Sequence, residues 1–197
     1  GGPGPTKEDF AKGEYLDYRL KRKVLGLVDV GYTGEEGVFE LMWKAQDLIS
    51  ESRYAEERKL MRKFLYLLAK NPEMVTYGVN EVLYALKHGA AGLVLVSEEL
   101  EKAYVVAKCK TCKTRVEKIV DEKVIAREEP LKCPKCGNVL EIESAKTLVD
   151  YIAEEAEKTG AKVEVISTAT VEGNQLLNVF GGLAAILRFK LPIKQTL

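Results

Sequence analysis

Four cysteines share one window of 28 residues in the pattern C-x2-C-x20-C-x2-C: CKTC at 109–112 and CPKC at 133–136. Two residues between cysteines let both sulfurs turn toward one point, and two such knuckles complete a tetrahedral four-thiolate site. Cys109, Cys112, Cys133 and Cys136 are therefore candidate ligands of a Zn2+ ion; iron is the alternative, because four-sulfur sites hold it too. Gly137, just after the second knuckle, suits a tight turn. Four thiolates leave no position for water or substrate, so the metal would be structural and not catalytic. Disulfides are disfavoured, because no basic-apolar-small secretory signal opens the sequence and reducing compartments keep thiols free. A ribbon of about 30 residues cannot fold on its own core, and metal binding would supply on the order of 10 kcal/mol toward ordering it. RVEKIV and KVIARE, between the knuckles, read as its short strands. Lys108, Lys110, Lys113, Arg115, Lys132 and Lys135 flank the knuckles. They are either solvated surface or an RNA-facing basic tip.

Other chemistry finds little support. The single histidine, His88, precedes Gly89 at the end of a short helical pattern, where a C-terminal cap is the expected role. GPTKED lacks the spacing of a phosphate loop, and no G-x-G-x-x-G follows a strand. Asp29, Glu35 and Glu36 could form a carboxylate pair, but acids in a first helical turn complement its dipole. Trp43 and the tyrosines fall mainly on helical patterns and are expected in the core. Lys plus Arg and Asp plus Glu both number 30, so the net charge is zero and wholesale nucleic-acid binding is not indicated. No apolar run approaches the roughly 18 residues of a membrane span. A cytoplasmic protein without membrane contact is expected, not an enzyme.

The elements that must position the cysteines follow from the patterning. GGPGP at 1–5 cannot hold a helix or a central strand. Thr6 then reads as an N-cap, with Asp9 three residues on, and Lys7 to about Arg22 as one or two short helices. The run 24–30, VLGLVDV, reads as a strand buried on both faces. Residues 35–70 carry two helical apolar faces separated by the polar SESRYAEERK, which suggests a domain boundary near Ser52. Asn71-Pro72 stops that helix. Beyond it come helix 80–88, strand 93–96, a strand at YVVAKC, helix 146–158, strand 163–166, helix 172–180 and a last strand in LAAILRFK. Such alternation predicts an α/β sandwich around one sheet, with the ribbon inserted at 109–140.

GGPGPTK, LVDVGYTGEEG, YGVNEVLYALKHGA and GGLAAILRF occur in this order over essentially the whole chain. Together they resemble the class I peptide chain release factors of archaea and eukaryotes, and the cysteine ribbon points to the archaeal branch. The resemblance implies three domains. The first reads the stop codon. The second carries a Gly-Gly-Gln tripeptide that promotes peptidyl-tRNA hydrolysis by the ribosome. The third binds an elongation-factor-like translational GTPase and a recycling ATPase. No Gly-Gly-Gln occurs here. By resemblance, residues 1–52 are the last part of the central α/β domain, and 53–197 are the third domain with its zinc-ribbon minidomain at 109–140. The decoding and hydrolysis elements are expected upstream, since no initiator Met precedes Gly1. Contact with rRNA and peptidyl-tRNA would belong to the full-length protein. The resemblance also implies that the last strand meets the GTPase, through Ile186, Leu187, Arg188 and Phe189. Ile186 and Leu187 carry an equal expectation as core, whereas Arg188 in an apolar strand needs a partner or solvent. The rivals are a Pelota-like ribosome-rescue factor, whose relatives do not carry GGPGPTK and generally lack the ribbon, and a free-standing zinc-ribbon RNA-binding protein. Cys133→Ser is expected to lose the metal and disorder 109–140 while the α/β core stays folded. Circular dichroism with metal analysis checks this, and global unfolding would show that the ribbon is not an insertion.

Overall fold

The structure is a computed structural model that describes residues 1–21 and 23–191. They form two compact units, Gly1–Glu56 and Glu57–Leu197.

In the first unit Pro5 takes the cap position and α1 (Thr6–Lys12) begins at Thr6, one residue earlier than expected. The Pro5 carbonyl accepts the amides of Glu8 and Asp9, so the Thr6 hydroxyl is not needed. α2 (Tyr18–Lys21) is a single turn. The run 24–30 is not the doubly buried strand its composition suggests: Val30 is buried but Val24, Leu25 and Leu27 are exposed, and among the described residues its pairing is a single bridge between Asp29 and Gly2. A strand exists only through a neighbouring strand, and among the described residues the run meets only the opening loop and helical side chains such as Leu48. That loop is pinned by charge. The Lys7 ammonium pairs with the Asp29 carboxylate and donates to the Gly4 carbonyl. Glu40, on α3 (Gly34–Lys44), accepts the amides of Gly31 and Tyr32. Its carboxyl is held below the usual range, first by the bond from Lys44. Trp43 is 79% exposed and Phe39 and Met42 are exposed with it, so the expectation of a core there fails. Their helix is amphipathic, but no described element covers the face.

α4 (Gln46–Lys70) contains the whole polar SESRYAEERK segment and the position proposed as a boundary. From Glu57 onward it belongs to the second unit. That unit is built on a four-stranded sheet. Its strands are β1 (Val75–Tyr77), β2 (Ala91–Ser97), β6 (Lys162–Ile166) and β7 (Leu183–Leu187) in the order β1-β7-β2-β6. β2 runs parallel to β6 and antiparallel to β7. Period-two alternation divides the core between the two faces. Val94, Val96, Leu183, Ala185 and Leu187 meet α5 (Val79–Lys87) and α7 (Leu148–Thr159). Leu95, Ala184 and Ile186 meet Met61 and Phe64 of α4 and Leu176 and Phe180 of α8 (Val171–Phe180). The result is the expected α/β sandwich.

The expectation of one sheet is corrected. β3 (Lys102–Cys109), β4 (Arg115–Asp121) and β5 (Leu140–Thr147) form a separate antiparallel sheet in the order β4-β3-β5. KVIARE is not a strand either: α6 (Glu122–Ala126) turns there. A short run with Glu122, Lys123, Ala126 and Arg127 favours a helical turn, and Ile125 still packs onto the ribbon core. The second sheet rests on the first through Tyr104 of β3, whose ring stacks on Tyr151 of α7 at 3.8 Å.

The loops at the ends of β2 and β6 are locked together. Buried Glu57 accepts the Ser167 amide at 2.8 Å, and Glu98 accepts the Thr168 amide at 2.8 Å. Thr170 caps α8 by accepting the Gly173 amide at 3.0 Å. A Cβ on Gly173 would sit 2.0 Å from the Ser167 carbonyl oxygen, a backbone atom that cannot swing aside. Gly173→Ala is expected to cost about 2 kcal/mol and lower the melting midpoint by roughly 6 °C. An unchanged midpoint would mean that the 167–170 turn relaxes freely.

Candidate metal centre

β3 carries Cys109 to the end of its sheet, opposite Leu140. Cys133 follows Lys132, which bridges to Val139. The two knuckles repeat one hydrogen-bond pattern. Cys109 donates its amide to the Thr114 carbonyl and accepts the Lys113 amide; Cys133 donates to Asn138 and accepts from Gly137. Each turn ends in left-handed backbone, with φ 74° at Gly137 and φ 58° at Lys113. Glycine occupies that conformation without strain, whereas an L side chain costs about 1–2 kcal/mol there. The first knuckle accepts that cost at Lys113, and no residue type in CKTCK signals it.

The four sulfurs converge. Cys109 and Cys136 lie 3.4 Å apart, Cys112 lies 3.6 Å from both Cys133 and Cys136, and all four fall within 4.8 Å of one another. A tetrahedron with Zn–S bonds of about 2.3 Å has edges of about 3.8 Å, so the set fits a zinc ion. A disulfide needs about 2.05 Å, and all four cysteines are free thiols. Cys109 and Cys133 are buried with Ala107 and Leu140, Cys112 is half-buried and Cys136 is exposed.

The first knuckle is primed for a cation. The Cys112 thiol is held down to about 6, first by the Thr114 hydroxyl and then by the Thr114 amide. Cys109 is also lowered, foremost by the Cys112 amide. Cys136 feels the lowering bond from the Asn138 amide, but Cys109, desolvation and the other two sulfurs together prevail and push it up to about 11. Metal capture must therefore expel its proton.

The remaining candidate residues lie elsewhere. His88 ends α5, its Nδ1 2.8 Å from the Tyr84 carbonyl, as a terminal cap. Ile186 and Leu187 are 8% and 6% exposed and face opposite cores, so neither side chain reaches the surface. Arg188 is exposed, yet its guanidinium donates to the carbonyls of Thr159 (3.0 Å) and Gly160, capping the C-terminus of α7. Phe189 is 50% exposed. Of these four, Phe189 alone offers an uncommitted side chain. Sequence reasoning missed the Glu57 and Glu98 carboxylates, whose partners lie 110 and 70 residues away in the chain and carry no local pattern.

Lys113→Gly is expected to steady the first knuckle by about 1 kcal/mol, seen as roughly fivefold slower loss of zinc to a chelating dye. Faster loss would mean that the lysine side chain, and not the backbone, governs this turn.

Comparison with known proteins bears on the whole chain. A family model described as eRF1 domain 3 matches residues 54–191, and one described as eRF1 domain 2 matches residues 1–51. The Peptide chain release factor subunit 1 of Methanobrevibacter smithii is 42% identical over 189 residues, covering 96% of this chain and 46% of that protein. Its counterpart from Archaeoglobus fulgidus is 44% identical over 190 residues, again covering 96% and 46%. The chain thus spans about half the length of the curated relatives it matches. Among solved structures, the C-terminal domain of the Peptide Chain Release Factor from Methanosarcina mazei superposes with a TM-score of 0.66 at 34% identity, covering 81% of this chain and 98% of that one. A model of ribosome-bound archaeal Pelota and ABCE1 gives a TM-score of 0.53 at 26% identity, covering 97% of this chain and 43% of that one. With domain 2 and domain 3 matched in order along one polypeptide, this chain belongs to the eRF1 family of peptide chain release factors.

Proposed function

We propose that this chain is the partner-binding part of an archaeal class I release factor, acting in translation termination in the cytoplasm. The observation that carries this reading is the ordered match to eRF1 domains 2 and 3, with 42% identity to an archaeal Peptide chain release factor subunit 1. Residues 1–52 are read as the last part of the central domain. The uncovered apolar face of α3 and the largely exposed 24–27 stretch support this, because both call for further elements of a larger core. Residues 53–197 are read as the third domain, with 109–140 as a minidomain ordered by structural zinc. None of the described helices is long and apolar enough to cross a membrane.

The chain is read as a non-enzymatic factor. It contains no Gly-Gly-Gln, and among the described residues the cluster that could hold a metal is the closed set of four cysteines. Peptide release would be ribosome-catalysed and would require the full-length protein, through which rRNA and peptidyl-tRNA are met. The partners of this part are an elongation-factor-like translational GTPase and a recycling ATPase. For the ATPase, support comes from the likeness to a Pelota solved with ABCE1 on the ribosome. That same likeness keeps a ribosome-rescue role as the second reading.

Phe189 is the proposed GTPase contact at the end of β7, with Arg188 holding the strand end in place. Pull-down of this chain with archaeal translational GTPases is expected to succeed with GTP and fail without it. Phe189→Ala should weaken capture about tenfold at unchanged thermal stability, whereas Arg188→Glu should also lower stability by removing the α7 cap. Capture that ignores the nucleotide, or survives Phe189→Ala intact, would contradict the assignment. Capture only by the GTPase of ribosome rescue would favour the second reading.

A further inference from the structure

The three-stranded ribbon sheet carries an excess of cations at one end. Lys108, Lys110, Lys113, Arg115, Lys132 and Lys135 all lie exposed at its knuckle end. The register sets Lys108 opposite Arg115 on β4 and opposite Glu141 on β5. The Lys118 ammonium bonds the Lys132 carbonyl, which fixes the second knuckle against the same end. Two of the six cations are engaged, Lys110 with Glu141 at 3.3 Å and Arg115 with Glu143 at 3.5 Å. Lys108, Lys113, Lys132 and Lys135 have no acidic partner among the described residues. At the opposite end of the sheet the charges are matched: Lys102 stands opposite Asp121, and Lys123 pairs with Glu101 at 2.6 Å.

Such a tip could merely offset the double negative charge of a zinc ion held by four thiolates. It carries more positive charge than that task requires, and its four unpaired ammonium groups point to a polyanion outside the protein. The absence of aromatic side chains narrows the class. No Phe, Tyr or Trp occurs from 108 to 147, and the two guanidinium groups there, Arg115 and Arg127, are paired with Glu143 and Glu129, so no aromatic ring and no unpaired guanidinium offers a stacking face to an unpaired base. Single-strand readers rely on such stacking, whereas a rigid cationic end suits the phosphates of a double helix.

We infer that the knuckle end of the ribbon binds the phosphate backbone of double-helical RNA without reading its sequence. The choice of RNA over DNA rests on the ribosomal reading above; the cationic tip does not.

The test uses the zinc-loaded chain and a fluorescent RNA hairpin of about 20 base pairs, the length a shape-reading module can span. Four unpaired lysines predict that log Kd rises with log salt at a slope of about 4, or on the order of a hundredfold weaker binding between 50 and 200 mM. Replacing Lys108, Lys113, Lys132 and Lys135 together by Gln should abolish most of that slope. Replacing exposed Lys59, Lys63, Lys70 and Lys162 instead should leave it, and both variants should keep one zinc. The proposal is overturned by a flat salt response of the wild type, by equal loss in the two variants, or by tighter binding to an unstructured strand than to the hairpin. Binding to poly-glutamate in place of RNA would overturn it too. So would a tip variant that loses zinc yet keeps RNA affinity. GTP-dependent capture by the GTPase is read separately, so failure here leaves the release-factor reading standing.

Discussion

The alternation of side chains along β2 and β7, the two central strands of the main sheet, is the constraint from which the rest follows. Neighbouring residues on each strand point to opposite faces, and both sets are apolar, so helices must cover both sides. α5 and α7 cover one face, and α8 with the second half of α4 covers the other. With α7 fixed, Tyr151 presents a flat ring for Tyr104 of β3. With β3 fixed, Cys109 stands at its end, and the other three sulfurs need only short turns to reach it. The four-cysteine cluster thus stands at the far end of a sheet that meets the sandwich through the Tyr104–Tyr151 stack, Ile119 and the direct passage of β5 into α7.

This order of dependence separates what each part can tolerate. The sandwich is held by burial of side chains such as Leu95, Leu183 and Phe64, which no metal touches. The ribbon core is small, drawing on Ala103, Val105, Ala107 and Leu140 beside its cysteines. A sheet with so little apolar area needs a further source of order, and convergent thiolates supply it when a cation binds. The first unit is a third case. It relies on charged links, Lys7 to Asp29 and Lys44 to Glu40, while Trp43 and Phe39 stay uncovered. Each pair leaves one partner, Asp29 or Lys44, in solvent, where such links contribute little, so this unit is the least self-sufficient of the three.

Much of this was legible in the sequence, and the misses share a cause. The cysteine spacing named the four residues whose sulfurs converge, because two-residue knuckles constrain geometry locally. The helices 79–87, 148–159 and 171–180 stood out by periodicity. The strand reading of 24–30 failed because a strand depends on a partner that residue patterns in the strand do not specify. The single-sheet reading failed for the same reason: YVVAKC is a strand, but its own residues do not say which sheet it joins. Arg188 needed a partner, as its place in an apolar strand implied, but that partner is two backbone carbonyls. Carbonyls leave no mark in a sequence.

Amide hydrogen exchange on the zinc-loaded chain, before and after chelation, tests this hierarchy most directly. The account predicts that the amides of Lys113 and Gly137 lose protection when zinc is removed, while those of β2 and β7 keep theirs. Loss of protection across β2 and β7 as well would contradict it, because the sandwich would then depend on the metal it is argued to carry.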